Sequence, residues 1–183
     1  MKQKSLQHLF FLRKKKKLDI TIFVYKKTHY WKNILEIGVG AGQSIYWFEN
    51  KGFHVTGIEP DKRNVSMINK MLKKGEVIES SVEDFVTEKT FDVVLNIESS
   101  HCYGNMECFL SGVLRLLKKD GFFLWSDFRS HQEMKDLFDL FLSVGFKIVK
   151  EEDITRNILL SLKQLSPERE RHINKQVPLP FRR

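Results

Sequence analysis

At 183 residues the chain has the size of one domain, able to bury a substantial core without disulfides or metal. Its 42% hydrophobic and 30% charged residues, with only four prolines, exclude a disordered or fibrous protein. The formal net charge of +8 sits at one end: residues 1–32 hold ten Lys or Arg against the single acid Asp19, while the other 21 bases and 22 acids nearly cancel. Cys102 and Cys108 make neither a disulfide framework nor a zinc site, which suits a reducing compartment. No apolar run approaches the roughly 18 residues of a membrane span, so a cytoplasmic protein is expected.

Taken in order, the chain divides into a basic amino-terminal segment (1–32), a domain (33–155) and a helical tail (156–183). The basic segment, with the run Arg13–Lys17 and an apolar stretch within Asp19–Tyr25, has two readings. It is either an arm for nucleic acid or another acidic surface, or a solvated lead-in that packs a few aromatics on the domain; the second is favoured. Tyr30 and Trp31 are candidates to cover a ligand.

From Asn33 onward strand and helix alternate, which predicts right-handed crossovers and a mostly parallel sheet covered on both faces, an α/β Rossmann-like three-layer sandwich. Strands are expected at Asn33–Ile37, His54–Glu59, Val77–Glu79, Phe91–Ile97, Phe122–Asp127 and Lys147–Glu151. A first helix carries Ile45, Trp47 and Phe48 and stops near Lys51-Gly52. Asp61 caps a second through about Lys73, with Met67, Ile68 and Met71 inward. A third, Met106–Leu117, turns Phe109, Leu110, Val113, Leu114 and Leu117 inward and leads through Lys118–Gly121 to the fifth strand. A fourth runs His131–Val144 and ends at Gly145. Arg156–Gln164 and Ser166–Asn174 read as short helices, and the final antiparallel strand common in such sheets is expected to be missing.

In open α/β sheets ligands bind outside the carboxyl ends of the strands, near the point where strand order reverses. Polar residues gather there: Gly38, Gly40 and Gly42 after the first strand, Glu59 at the end of the second, Ser81–Asp84 after the third, Asn96–Tyr103 after the fourth and Asp127–Ser130 after the fifth. Glycine at such a turn accepts positive φ and lets a ligand approach the backbone. Glu59 lies 21 residues after Gly38, the spacing at which an acid accepts from the hydroxyls of a nucleoside ribose. A nicotinamide dinucleotide would need Gly or Ala at position 43, where Gln43 stands. The turn therefore suits a ligand without pyrophosphate.

On these residues the sequence resembles the class I S-adenosylmethionine-dependent methyltransferases. The resemblance runs over about 33–155: Ile34–Gly42 matches the first motif, Glu59 the ribose acid, Val77–Phe85 the segment beside the adenine, and Leu116–Gly121 the turn before the fifth strand. Asn96–Tyr103, Ser126–Arg129 and Glu152–Thr155 look like the small-molecule O-methyltransferases of secondary metabolism, including phthiotriolone and macrolide-type enzymes. The resemblance implies S-adenosylmethionine as cofactor, a small-molecule hydroxyl as acceptor, and Glu36, Gly38, Gly40, Gly42, Glu59, Pro60, Ser81, Val82 and Asn96 at the cofactor. Such enzymes usually carry Asp where Ser81 stands, and they are longer at both ends.

His101, at the mouth of the fourth strand, is the candidate base, because histidine titrates in the range that an in-line displacement from a sulfonium requires. Asp127 and Arg129 are candidates to bind polar groups of the acceptor, or else a surface pair; Cys102 is read as packing. Two other functions stay open. A nucleic-acid methyltransferase is disfavoured, because its Asn/Asp-Pro-Pro-aromatic motif is replaced by Asn96-Ile97-Glu98-Ser99. The other is a shortened, non-catalytic descendant that binds cofactor weakly or not at all. No metal site and no oligomeric state are read from the sequence.

Overall fold

The computed structural model describes the strand at 6–14 by its backbone, residues 31–160 in full, and positions 163, 167 and 171. Its strands are β1 (Leu6–Lys14), β2 (Asn33–Ile37), β3 (His54–Glu59), β4 (Glu76–Glu79), β5 (Phe91–Ile97), β6 (Leu117–Arg129) and β7 (Phe146–Asp153). The helices are α1 (Gln43–Asn50), α2 (Lys62–Asn69), α3 (Met106–Leu116) and α4 (His131–Val144). The sheet order is β4-β3-β2-β5-β6-β1-β7. The first five of these are parallel neighbours, so the expected Rossmann-like architecture stands. Chain order reverses between β2 and β5, which puts the switch point directly beyond the glycine turn.

Side chains alternate across the sheet because successive Cβ atoms point to opposite faces. Ile34, Val93 and Leu95 face α1 and α2, meeting Ile45 and Ile68. Leu35, Val94, Phe123 and Trp125 face α3 and α4, meeting Phe109, Leu110, Val113 and Phe141. Burial on both faces explains why Phe91–Ile97 reads as a nearly unbroken apolar run. The α4 start is fixed by a capping box: Ser130 accepts from the Glu133 N–H, and the Glu133 side chain accepts from the Ser130 N–H.

Three local expectations shift. α2 ends at Asn69 rather than near Lys73, and its inward residues are Val65 and Ile68, with Leu72 packing beside them from beyond the helix end. Met67 is exposed because it falls more than a quarter turn from both at 100° per residue, and Met71, beyond the helix end, is exposed as well. Lys118–Gly121 is an irregular excursion within β6, since Phe91 pairs with Leu117 and Val93 already with Phe122. Trp31 packs on Phe122 with ring centroids 5.6 Å apart, at the end of the sheet away from the glycine turn, so it does not cover a ligand.

Beyond Asp153 the described residues contain no further strand, in keeping with the missing final strand. Its place is nonetheless filled from the other end of the chain. β1 lies antiparallel between β6 and β7, with Leu6 opposite Arg129 and Lys14 opposite Phe146. Residues 6–14 of the basic segment are thus part of the sheet. Residues 155–160 are helical; the apolar stretch at 19–25, Tyr30 and nearly all of the expected Ser166–Asn174 helix lie outside the described residues.

Candidate active site

The carboxyl ends of β2, β3 and β5 enclose a cleft of about 630 Å³. Glu36, Gly38, Gly40, Glu59, Pro60, Ser81 and Val82 all line it, so seven of the nine residues expected at a cofactor are brought together. The glycine turn builds its floor, with φ of 75° at Gly38, 56° at Gly40 and 82° at Gly42. The three glycines differ in what they permit. A Cβ at Gly38 would lie 2.5 Å from Ser99 Oγ, and one at Gly42 would lie 2.8 Å from Ile68 Cγ1, whereas nothing lies within 4 Å at Gly40. Gly42 therefore packs helix on helix outside the cleft, and Gly40 leaves open space at the turn.

Two carboxylates face this space from the strand ends. Glu59 accepts from the Gly40 N–H (2.9 Å) and the Asp61 N–H (3.1 Å), which pin it at the tip of β3. Glu36 is 2% exposed and bonded to the Ser44 hydroxyl, while its Oε2 has no hydrogen-bond partner among the described residues. Burial pushes its carboxyl up to about 7, against the smaller opposing pull of Ser44 and the Ile45 N–H. Ser81 lines the cleft, but its hydroxyl donates to Asp84 Oδ2 at 2.8 Å.

Asn96 is fully buried behind the cleft rather than in its wall. Its Nδ2 donates to Ile37 O (3.1 Å), Ser99 Oγ (2.7 Å) and Tyr103 Oη (3.1 Å). The chain leaves β5 through Glu98, whose φ of 51° turns it back while its N–H bonds to Ser126 O. That reversal starts the short 3-10 turn Ser100–Cys102 and tucks Ser99 and Tyr103 beneath Gly38.

His101 is absent from the cleft wall. It borders an adjoining groove with Ser100, Tyr103, Met106, Phe128 and Arg129, and Tyr103 lines both spaces. His101 Nδ1 lies 2.8 Å from Oδ1 of Asp127, which is fully buried. A carboxylate only accepts, so Nδ1 is the ring nitrogen that donates, and in a neutral imidazole Nε2 is then the acceptor. Asp127 Oδ2 accepts from Ser100 Oγ (2.6 Å) and the His101 N–H (2.8 Å), and Arg129 completes the set with a 3.1 Å ion pair. The Asp127–Arg129 pair is therefore buried rather than a surface pair, and Asp127 orients His101 instead of facing the groove. Sequence reasoning missed this link and the part played by Ser99 and Tyr103, because 26 residues separate His101 from Asp127 and only β5–β6 pairing joins them.

The methyltransferase-domain family profile matches residues 35–125, from within β2 to Trp125 of β6. This stretch, just under half of the chain, is similar to a methyltransferase domain. The chain is 28% identical over 108 residues to a probable phthiotriol/phenolphthiotriol dimycocerosates methyltransferase of Mycobacterium ulcerans, covering 58% of this chain and 42% of that protein. It is also 28% identical over 110 residues to a fatty-acid O-methyltransferase of Mycolicibacterium smegmatis, covering 57% and 40% respectively. The chain thus spans about two fifths of the length of these relatives. Solved structures share the fold. StiE O-MT superposes with a TM-score of 0.57 at 16% identity, over 63% of this chain and 45% of that one. The plantazolicin methyltransferase BpumL, in complex with a triazolic desmethylPZN analog and SAH, superposes with a TM-score of 0.52 at 23% identity, over 62% and 43%. No described helix of the chain is long and apolar enough to cross a membrane.

Proposed function

We propose that the domain transfers a methyl group from S-adenosylmethionine to a hydroxyl of a small molecule, with His101 as the general base. The observation that carries this reading is the pair of adjoining spaces: the glycine-turn cleft and the groove bordered by the His101–Asp127 pair, with Tyr103 as their common wall. Methyl transfer needs two ligands side by side, and here the base stands in the second space, not the first.

The residues of the cleft fit the cofactor. Glu36 Oε2 is a buried carboxylate oxygen without a partner among the described residues, the acceptor that an ammonium group requires. Glu59 is fixed by two backbone N–H groups and retains electron pairs for the hydroxyls of a ribose. The open space at Gly40 admits a ligand against the backbone, with Pro60, Ser81 and Val82 along the adenine side. The cofactor supplies an electrophilic methyl group on a positively charged sulfur. Gly38 and Gly42 shape the turn and Asn96 braces it from behind, so their part is to hold the cleft open.

In the groove, Nε2 of His101 takes the proton of the acceptor hydroxyl as its oxygen becomes the nucleophile. Asp127 sets the tautomer that makes this feasible and stabilises the imidazolium that forms. Oxygen as the atom methylated is supported by the names of the fatty-acid O-methyltransferase and StiE O-MT. The test assays His101→Ala against a panel of fatty acids, phenols and aliphatic alcohols. Turnover falls roughly 100-fold or more while affinity for S-adenosylhomocysteine stays within about twofold; unchanged turnover rejects His101 as the base.

A further inference from the structure

The layer formed by α1 and α2 has an outer face that neither the cleft nor the groove uses. Trp47 is 55% exposed, Met67 44% and Met71 43%, so three large apolar side chains meet solvent on α1, on α2 and just beyond it. Exposed apolar residues scattered singly need no explanation, but here cations gather around them. Lys62, Arg63, Ser66 and Lys70 line a shallow depression together with Met67, and the exposed Lys73 and Lys74 follow Met71 in the chain. Lys62, Lys70 and Lys74 have no ion-pair partner among the described residues.

The acids of this layer are already committed. Glu49 accepts from the N–H groups of Lys73, Lys74 and Gly75 at 2.9, 2.8 and 2.6 Å, which ties the end of α1 to the turn after α2. Asp61 is taken by Arg63 at 2.8 Å. The indole of Trp47 is braced from below: it stands edge-on to Phe48 with centroids 5.0 Å apart, Phe48 in turn meets Phe53, and Lys51 Nζ lies 5.5 Å over the ring. A fixed indole and two thioether tips therefore stand among ammonium groups. A bilayer surface suits that combination, because apolar tips enter the headgroup region, where Trp is favoured, while lysines keep their charges beside lipid phosphates. RNA would match the lysines and offer a base to stack on Trp47, but it gives Met67 and Met71 nothing to enter.

We propose that the outer face of α1 and α2 docks on an anionic phospholipid surface, with Trp47, Met67 and Met71 in the headgroup region and Lys62, Lys70 and Lys74 against the lipid phosphates. None of these six residues lines the glycine-turn cleft, so docking leaves the cleft open. The inference goes beyond the methyl-transfer reading and stands independently of it.

The experiment follows the tryptophan fluorescence of the full chain as it meets vesicles of acyl-brominated phosphatidylcholine, alone or mixed with phosphatidylglycerol. Of the three tryptophans, Trp125 is fully buried and Trp31 packs on Phe122, so Trp47 reports the contact. The mixed vesicles should quench the wild type and the neutral ones should not. Trp47→Phe should remove most of that quenching, and Lys62→Glu combined with Lys70→Glu should weaken vesicle affinity roughly tenfold or more at low salt. Vesicles that sediment the chain without quenching Trp47 would put the contact on the basic amino-terminal segment and overturn the proposal. So would equal quenching by neutral vesicles, binding to neither kind, or an affinity that the lysine reversal leaves unchanged. Poly-uridylate bound by the wild type and lost in the same double variant, with no quenching by vesicles, assigns the face to nucleic acid and overturns the proposal as well.

Discussion

The two halves of the strand-end face are built differently. On the β2–β3–β4 side, the cleft is assembled from short-range pieces: a glycine turn, an acid at the tip of β3 and the loop after β4, each next to a strand in sequence. On the β5–β6 side, the groove depends on contacts between residues 25 to 29 positions apart, linking Ser100 and His101 to Trp125, Asp127 and Arg129. The first half can be read from a motif. The second exists only once β5 and β6 pair, so the cleft and the His101–Asp127 pair are separable by mutation.

Gly38→Ala should have the largest effect, because it collides with the second half from within the first. Its Cβ meets Ser99 Oγ at 2.5 Å, and φ is 75°, so a loss of roughly 2–4 kcal/mol in chemical denaturation is expected, with cofactor binding abolished. Gly40→Ala is the control in the same turn. With φ of 56° and nothing within 4 Å, it should cost only about 1 kcal/mol while still impairing binding, since it fills the ligand's space. Equal destabilisation by the two would break the distinction between a packed and an open glycine.

Glu36 gives a pH signature confined to the cofactor half. Its carboxyl is raised by burial from 4.5 to about 7 in the folded chain. The folded state therefore binds more protons than the unfolded one between those values, and stability falls as pH rises through that window. The loss is on the order of 3 kcal/mol by pH 8, and Glu36→Gln should flatten the slope. Melting temperatures of both proteins from pH 4 to 8 check this; parallel curves would contradict it. A bound ammonium group should also reverse the slope, by favouring the carboxylate.

Asp92 provides the smallest and opposite effect, at the far end of the sheet. Burial pushes its carboxyl upward, but Lys118 and the N–H groups of Asn33 and Lys32 outweigh this and leave it below the usual range. Its contribution is present above the unfolded carboxylate range and disappears as pH falls through the folded value. Asp92→Asn should cost about 1 kcal/mol at pH 7 and nothing measurable at acid pH, without altering affinity for cofactor.

The same contrast explains what the amino-acid sequence makes legible. Every element from β2 to β7 follows from apolar runs and glycine punctuation, and the glycine turn with Glu59 follows from spacing, because these signals are local. The inward face of α2 is Val65 and Ile68 rather than Met67, Ile68 and Met71, since a helix of eight residues gives periodicity little length to declare itself. The strand at Leu6–Lys14 is masked in the sequence by the basic run that begins at Arg13 and by the long connection to β2, and only sheet pairing identifies it. Asp127 was seen as a strand-end acid, but its partner His101 lies across the sheet, where no spacing rule reaches. The hydroxyl of Tyr103 is likewise a tertiary feature, fixed by Asn96 from within β5.

The central claim is that the glycine-turn cleft holds S-adenosylmethionine through Glu36 and Glu59, and calorimetric titration of the full chain tests it most directly. One site with a dissociation constant on the order of micromolar to tens of micromolar is expected, weakened at least tenfold in Glu59→Ala and insensitive to His101→Ala. Absence of binding at millimolar ligand would contradict the claim and leave a methyltransferase fold without its cofactor.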